Sequence, residues 1–329
     1  MLNNRGRVSS ETEEKVRKMA AELGYKPNSL GKALASRKKH YIIGVILCSE
    51  GNEFYNDMIR GIEQAEQDNT DYGINVLFRT MKGYDVDHQL RLMNELEGRI
   101  NCLLITAINH HKIAQKINSL TESGIGVLTL NTDIENSKRV CHIGANVIES
   151  GRIACGLLGL LMRGKAQVAI ATNSLKLLEH HQRIEGFLQA KEDKYPGFHI
   201  VEIFEAEDDD MIAYMRTKKL LAQKPGVDAF YIGGAALGIC RAIEEAGCSD
   251  KITIISCDTN PTVVRLMNKG MIKAAICQQP WHQGYKAINM AVQYLVNGIS
   301  KSEEYCIIDN QIKILENIDT LFSDQPLRL

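Results

Sequence analysis

YKPNSLGKALASRKKHYIIGVILCSEGNEFY, residues Tyr25–Tyr55, holds the joint around which the chain is organised. Its second half contains the apolar run Ile42-Ile43-Gly44-Val45-Ile46-Leu47. A run with no polar alternation predicts a parallel strand covered on both faces. The first half ends in the basic run Arg37-Lys38-Lys39-His40. Before that, Pro27 stops a preceding helix, because its ring forces Lys26 out of helical geometry. Asn28 or Ser29 is placed to cap a new short helix over 30–36. That helix contains Gly31 and is well under the ~12–15 residues an isolated helix needs in water, so it forms only against a partner surface. Leu34, flanked by Ala33 and Ala35, is the apolar side chain placed as a wedge; the alternative for the same residues is a linker.

Composition narrows the classes. At 329 residues, a small module plus a bilobal domain is expected, and a hydrophobic fraction of 44% is that of an ordinary globular protein. No apolar run approaches a membrane span, and Met1-Leu2-Asn3-Asn4-Arg5 lacks the apolar stretch of a signal peptide, so the expectation is a cytoplasmic protein with no membrane partner. The nine cysteines include no CxxC pair; Cys48, Cys102, Cys257 and Cys277 sit in strand-like runs and read as small core residues. The net charge of −1 hides an asymmetry: residues 1–40 hold ten Lys/Arg against four Asp/Glu, and the rest of the chain 29 against 36. A basic arm on an acidic body suits contact with nucleic acid, as it also suits a solvated basic helix.

In that arm, Val8–Leu23 reads as a helix capped by Ser9 or Ser10, with Val16, Met19, Ala20 and Leu23 on one face and Gly24 ending it. From Tyr41 onward strands and helices alternate through Ile143, and again from 147 to Cys277. This pattern builds parallel sheets with helices on both faces. A helix His282–Val296 and strands near Tyr305–Ile308 and Ile312–Leu315 follow. Two similar halves imply a cleft, and in open parallel sheets ligands sit beyond the strand C-terminal ends. The residues placed there are Asn52-Glu53-Phe54-Tyr55, Ala107-Ile108-Asn109, Asn131-Thr132-Asp133, Thr172-Asn173-Ser174, Cys257-Asp258-Thr259-Asn260 and Gln278-Gln279-Pro280-Trp281. Phe54, Tyr55 and Trp281 offer faces for a sugar ring, the amides and carboxylates pair with hydroxyls, and Arg183 adds a bidentate donor. Polar residues at strand ends are also common loop formers.

VSSETEEKVRKMAAELGYKPNSLGKALA (Val8–Ala35) resembles the last headpiece helix and hinge helix of the lactose/galactose repressor (LacI) family of bacterial transcription regulators. The segments IIGVI, NEFY, NTD, IGANVIESG, RIEGF, ISCDTNP and QQPWHQG resemble the periplasmic-sugar-binding-protein fold those regulators carry. The resemblance implies an α/β protein: two doubly wound parallel-sheet lobes of periplasmic-binding-protein type I, preceded by a partial helical DNA-binding headpiece and hinge helix. It divides the chain into an arm, 1–40, a first lobe, 41–143 with 279–309, and a second lobe, 144–278 with 310–329.

By the same resemblance, Leu34 is the minor-groove wedge, with Ala33 and Ala35 beside it and Asn28 and Ser29 near phosphate. Asn52, Phe54, Tyr55, Asn131, Arg183, Asp258 and Gln278 are implied to bind the effector, and Asp133 and Trp281 join the expected effector-binding set from their strand-end positions. The partners implied are operator DNA, if the full headpiece is present, a small sugar or polyol, and a second subunit, with 54–67 and 282–296 as candidate subunit faces. The start Met1-Leu2-Asn3-Asn4 resembles the tail of the family's recognition helix, so either the start is truncated or specific DNA reading is lost. Asn131-Thr132 and Ile232-Gly233-Gly234 stand where sugar binders of this kind often carry Asp-Arg and Asn-Asp, and Asn146 replaces an aspartate, which points away from a plain pentose or hexose.

An enzyme is not expected. The sequence has no GxGxxG, GxxxxGK[ST], GxSxG or HExxH motif, and so no cofactor is implied. His110-His111 and His180-His181 are adjacent pairs, unable to share a helix face as i, i+4 metal ligands do, and read as exposed. Glu205–Asp210 (EAEDDD) reads as a solvated helix cap.

Overall fold

Strand β1 (Tyr41–Leu47) is buried along nearly its whole length. Ile43, Val45 and Leu47 face one hydrophobic cluster, with Ile62, Ile288 and Val292. Ile46, on the opposite face, joins a second with Leu92, Leu103 and Ile113. Successive side chains of a strand point to opposite sides, so a strand covered on both must be apolar throughout. The computed structural model describes residues 39–48, 50–297 and 303–318, with isolated residues 12, 15, 18 and 19. Asn28, Ser29, Ala33, Leu34 and Ala35 lie outside the described residues.

The first lobe runs β1, α1 (Phe54–Asp68), β2 (Ile74–Thr80), α2 (Val86–Leu96), β3 (Cys102–Ile105), α3 (His111–Glu122), β4 (Gly126–Leu130) and β5 (Cys141–Ala145). Helix α4 (Val147–Leu161) opens the second lobe, followed by β6 (Ala166–Thr172), α5 (Leu178–Lys194), β7 (Phe198–Glu205), α6 (Asp210–Gln223), β8 (Ala229–Ile232), α7 (Ala236–Glu245), β9 (Thr253–Cys257), α8 (Pro261–Asn268) and β10 (Ile272–Cys277). Helix α9 (Pro280–Asn297) returns to the first lobe, where β11 (Tyr305–Ile308) extends its sheet. Strand β12 (Gln311–Lys313) and the short helix α10 (Leu315–Ile318) belong to the second lobe.

The strand orders are β11-β5-β4-β3-β1-β2 and β12-β10-β9-β8-β6-β7. Every pairing is parallel except β10 with β12, which is antiparallel. The chain passes between sheets at Asn146, at Gln278–Gln279 and at Asp309–Asn310, and side chains lace these passages together. Asn310 Nδ2 donates to the Asn146 carbonyl at 2.8 Å, and Gln279 Nε2 to that of Asp309 at 2.8 Å.

Local chemistry sets the helix starts. Asn146, Asp209 and Asn260 cap α4, α6 and α8 with their side chains, and Pro261 occupies a first-turn position where its missing N–H costs nothing. Helix α9 starts at Pro280, two residues before the expected His282, for the same reason. Strand β12 stops at Lys313, short of the expected Leu315, because Asn317 closes a turn: its Oδ1 accepts from Ile314 N at 2.8 Å and its Nδ2 donates to Ile312 O at 3.2 Å.

Helices α1 and α9 pack on one another through reciprocal glycines. A Cβ on Gly61 would lie 2.1 Å from the Trp281 carbonyl oxygen, and one on Gly284 2.1 Å from that of Met58. Segments 54–67 and 282–296, which the sequence offers as subunit faces, thus spend one side of each within the lobe. Helices α4 and α5 repeat the arrangement through Gly151 and Gly186. Among the described residues, no helix is long and apolar enough to cross a membrane.

Candidate functional site

A cavity of about 70 Å³ lies between the lobes, several times the ~10–15 Å³ that admits one water. Its walls are the strand C-terminal ends of both sheets. After β1 come Asn52, Phe54 and Tyr55; after β2, Tyr84; after β4, Asn131. The second lobe supplies Asn173 after β6, Asp208 after β7, Gly233–Ala236 after β8, Asp258 and Asn260 after β9, and Gln278 after β10. In each sheet the central crevice falls where the strand order reverses, at β1/β3 and at β6/β8.

Helix α5 contributes the charged floor. Glu179, His180 and Arg183 are 5%, 3% and 3% exposed, and all three line the cavity. Arg183 Nη1 lies 3.1 Å from His180 Nδ1. A guanidinium only donates, so Nδ1 accepts and the imidazole is neutral with its proton on Nε2. Burial, with the Arg183 charge, holds His180 well below its ordinary pKa, consistent with that tautomer. Glu179 accepts from Asn131 Nδ2 at 2.9 Å and lies 3.8 Å from Arg183 Nη2. Burial pushes its carboxyl up to about 7 against the pull of Arg183.

Asp258 accepts from Gln278 N at 2.9 Å and from Gln278 Nε2 at 2.8 Å, and burial raises its pKa too. Phe54 sets its ring edge-on to Tyr55, with centroids 5.2 Å apart. Four lining residues other than glycine hold positive φ: Asn131 at 68°, Asp208 at 56°, Ala235 at 49° and Asp258 at 59°. Alanine carries a real steric cost there, and strain of this kind concentrates at binding sites.

Several buried polar atoms of the wall have no hydrogen-bond partner: Arg183 Nε and Nη2, Asn131 Oδ1, Asn173 Oδ1 and Gln278 Oε1. A buried unpaired polar atom costs about 1–3 kcal/mol. Five around one cavity form a set of donors and acceptors arranged for a hydroxylated guest.

The lobes meet around this cavity. Asn52 Nδ2 donates to Asp208 at 3.1 Å, and Tyr84 hydrogen-bonds the other oxygen of that carboxylate. Asn109 N donates to the Lys176 carbonyl at 2.9 Å. Leu177, from the second lobe and 1% exposed, seats in the first lobe's cluster with Ile105, Ile108 and Ile134.

Of the effector-binding set read from the sequence, Asn52, Phe54, Tyr55, Asn131, Arg183, Asp258 and Gln278 line the cavity; Asp133 and Trp281 do not. Asp133 is consumed by Arg139, which donates to it through Nε at 2.6 Å and Nη2 at 2.7 Å, and by Thr129 Oγ1 at 2.9 Å. Burial works against its charge, but Arg139 outweighs burial and the carboxyl sits below its ordinary range. Trp281 stacks on Tyr285 along α9, with centroids 5.0 Å apart and planes 12° from parallel. It has no place in the cavity because the α1–α9 contact holds its backbone against Gly61.

The exposed reading of His180 is also corrected: His181 is exposed, while His180 turns into the cleft. The solvated-cap reading of Glu205–Asp210 holds for the exposed Glu207, Asp209 and Asp210 but not for Glu205 and Asp208. Asp209 caps α6, but Asp208 ties the lobes together and Glu205 accepts from Leu175 N at 2.9 Å. Among the described residues, no group of three His, Cys, Asp or Glu is placed to hold a metal ion.

Comparison with known proteins agrees with this geometry. The family model of the periplasmic binding protein domain matches residues 43–299. Catabolite control protein A of Priestia megaterium is 24% identical over 253 residues, covering 75% of this chain and 73% of that protein. Ribose import binding protein RbsB of Escherichia coli K12 is 25% identical over 256 residues, covering 77% and 84%. The crystal structure of GanP, a glucose-galactose binding protein from Geobacillus stearothermophilus, superposes with a TM-score of 0.78 at 25% identity, covering 84% of this chain and 98% of that one.

Proposed function

The chain belongs to the periplasmic binding protein domain family, and from that premise we propose that it binds one small polyhydroxylated molecule, a sugar or polyol, between its lobes. The observation that carries this reading is the set of unpaired buried atoms on Arg183, Asn131, Asn173 and Gln278 around a cavity closed by both lobes. A guest with several hydroxyls satisfies donors and acceptors together, which neither an apolar ligand nor a metal ion does. Phe54 and Tyr55 supply the apolar wall for the ring face.

The guest acts as an effector. Closing the lobes changes the placement of β1, which follows the basic arm directly, and so changes how well the segment 28–36 forms its short helix on DNA. A helix of marginal stability is switched by coupling energies of ~1–3 kcal/mol. Support comes from the resemblance of Val8–Ala35 to a repressor hinge, from the arm's ten basic residues against four acidic ones, and from the likeness to catabolite control protein A. In this reading the protein is a cytoplasmic, dimeric transcription regulator, divided as arm 1–40, first lobe 41–143 with 279–309, and second lobe 144–278 with 310–329. The likeness to the ribose import binding protein favours a second reading, a binding protein with no role on DNA.

A thermal-shift panel of sugars and polyols tests the first step. A binder raises the midpoint of the wild type, and Arg183→Leu abolishes the rise by removing two donors. A rise that survives in Arg183→Leu rejects the site. For the second step, Leu34→Ser weakens DNA retention in a low-salt gel shift and leaves ligand binding intact. Wild-type protein that never retains DNA at low salt, yet binds a sugar, selects the second reading.

A further inference from the structure

The cavity is unbalanced in charge. Three carboxylates line it, Glu179, Asp208 and Asp258, and Arg183 is the only cation among the described lining residues, since His180 is neutral. Each carboxylate is engaged by neutral donors. Asp208 takes Asn52 and Tyr84, Asp258 takes the amide groups of Gln278, and Glu179 takes Asn131 Nδ2. Glu179 Oε1 has His180 Nε2 only at 3.5 Å, and Arg183 stands 3.8 Å from its other oxygen. Neutral donors solvate a carboxylate but leave its charge uncompensated in a closed site.

The buried wall atoms without partners are acceptors on Asn131 Oδ1, Asn173 Oδ1 and Gln278 Oε1 and donors on Arg183 Nε and Nη2. Asn131, Asn173, Arg183 and Gln278 are 3%, 6%, 3% and 3% exposed, so all four are more than nine-tenths buried. With three carboxylates against one guanidinium, the wall therefore favours a guest that brings positive charge and donors for the free amide oxygens.

Resting on the polyol-binding reading above, we infer that the ligand is an aminated polyol, an amino sugar or aminocyclitol, whose ammonium sits on Glu179 and the free amide oxygen of Asn131. An ammonium offers three donors and no acceptor, and it cancels one of the carboxylate charges. The hydroxyls at the other end of the guest accept from Arg183 Nε and Nη2. Uronic acids and phosphosugars are excluded, because each adds negative charge to a cavity that already carries an excess.

Isothermal titration of the whole chain at pH 7.5, where Glu179 is mostly ionised, tests this with matched probes: glucose, galactose and mannose, their 2-amino and N-acetylamino counterparts, glucuronate and glucose 6-phosphate. At least one amine binds tenfold or more tightly than both its hydroxyl and its N-acetyl partner, and Glu179→Gln cuts that advantage to under threefold. A hydroxyl or acidic sugar that binds as tightly as its amine, with binding still lost in Arg183→Leu, overturns the amine assignment and leaves the polyol reading standing. An amine advantage that persists undiminished in Glu179→Gln overturns the role of Glu179. Absence of heat with every probe removes the polyol reading and this inference together. The wild-type comparison decides the amine preference by itself if Glu179→Gln fails to fold.

Discussion

Replacing Gly151 by alanine perturbs the cavity from behind, without touching it. Gly151 sits on α4 where that helix crosses α5, and a Cβ there would lie 2.0 Å from the Arg183 carbonyl oxygen and 2.8 Å from Phe187 N. Cβ atoms are not found closer than about 3.0 Å to such atoms, so α5 must retreat by roughly 1 Å as a body, because the obstacle is backbone. Two consequences follow. Forced overpacking of this kind costs about 1–3 kcal/mol of stability. The bond from Asn131 Nδ2 to Glu179, 2.9 Å across the lobe boundary, stretches to roughly 4 Å and is lost, and Arg183 leaves its station by the same amount.

Urea unfolding followed by circular dichroism reads the first effect, and titration with the best-binding polyol reads the second as a tenfold or larger loss of affinity, since ~1.4 kcal/mol is a factor of ten. Gly156→Ala on the same helix is the control. Its Cβ would meet nothing nearer than Tyr195 Oη at 4.0 Å, so it stabilises by up to ~1 kcal/mol through helix propensity and leaves the ligand alone. If Gly151→Ala matches the wild type in both assays, the reasoning that α5 is positioned by this glycine contact is refuted.

Leu177→Ala removes the one side chain of the second lobe that, among the described residues, is seated in the first lobe's core, so the lobes separate: the ligand-free radius of gyration in small-angle scattering rises and affinity falls at least tenfold. An unchanged scattering profile removes Leu177 as a clamp. Glu179 also gives a signed pH dependence. Its carboxyl titrates near 7 in the fold and near 4.5 when unfolded, in the company of Arg183, His180, Asp208 and Asp258. The folded state therefore holds an extra proton in that window, and stability falls as pH rises from about 4.5 to about 7. His142, pushed down to about 4 by burial, works in the opposite direction between about 4 and 6.5, so only the difference between wild type and Glu179→Gln isolates the effect. That difference grows with pH by up to about 3 kcal/mol, and a flat difference contradicts the buried-acid reading.

The fold was readable because its strands are covered on both sides. Ile42–Leu47 and Val168–Ala171 are apolar without interruption, and only strands sandwiched between helix layers need that. The strand-end part of the site was readable for a related reason: parallel sheets send all their C-terminal ends to one edge, so Asn52, Asn131, Asp258 and Gln278 converge however far apart they lie in sequence. The α5 residues were harder. Glu179 and His180 are neighbours of exposed residues on a helix, and sequence gives the period of a helix but not the angle at which it meets the cleft. The Leu178–Lys194 register offered one clue: Glu179, Arg183, Gly186, Phe187 and Ala190 share a face, and a charged pair on the apolar face of a helix is unusual. Asp208 was hidden in an acidic run, and only the positive φ of Glu207 and Asp208 turns it inward. Trp281 lies off the cavity, since a strand-end position does not fix the ring of a residue that begins a helix pinned elsewhere.

Diffraction from crystals of the chain grown with its best-binding polyol shows where the ligand sits. One molecule of ligand is expected between the lobes, with oxygen atoms within 3.2 Å of Arg183 Nε and Nη2 and donors on Asn131 Oδ1 and Gln278 Oε1. Ligand density elsewhere on the molecule, with this cavity empty at saturating concentration, would contradict it.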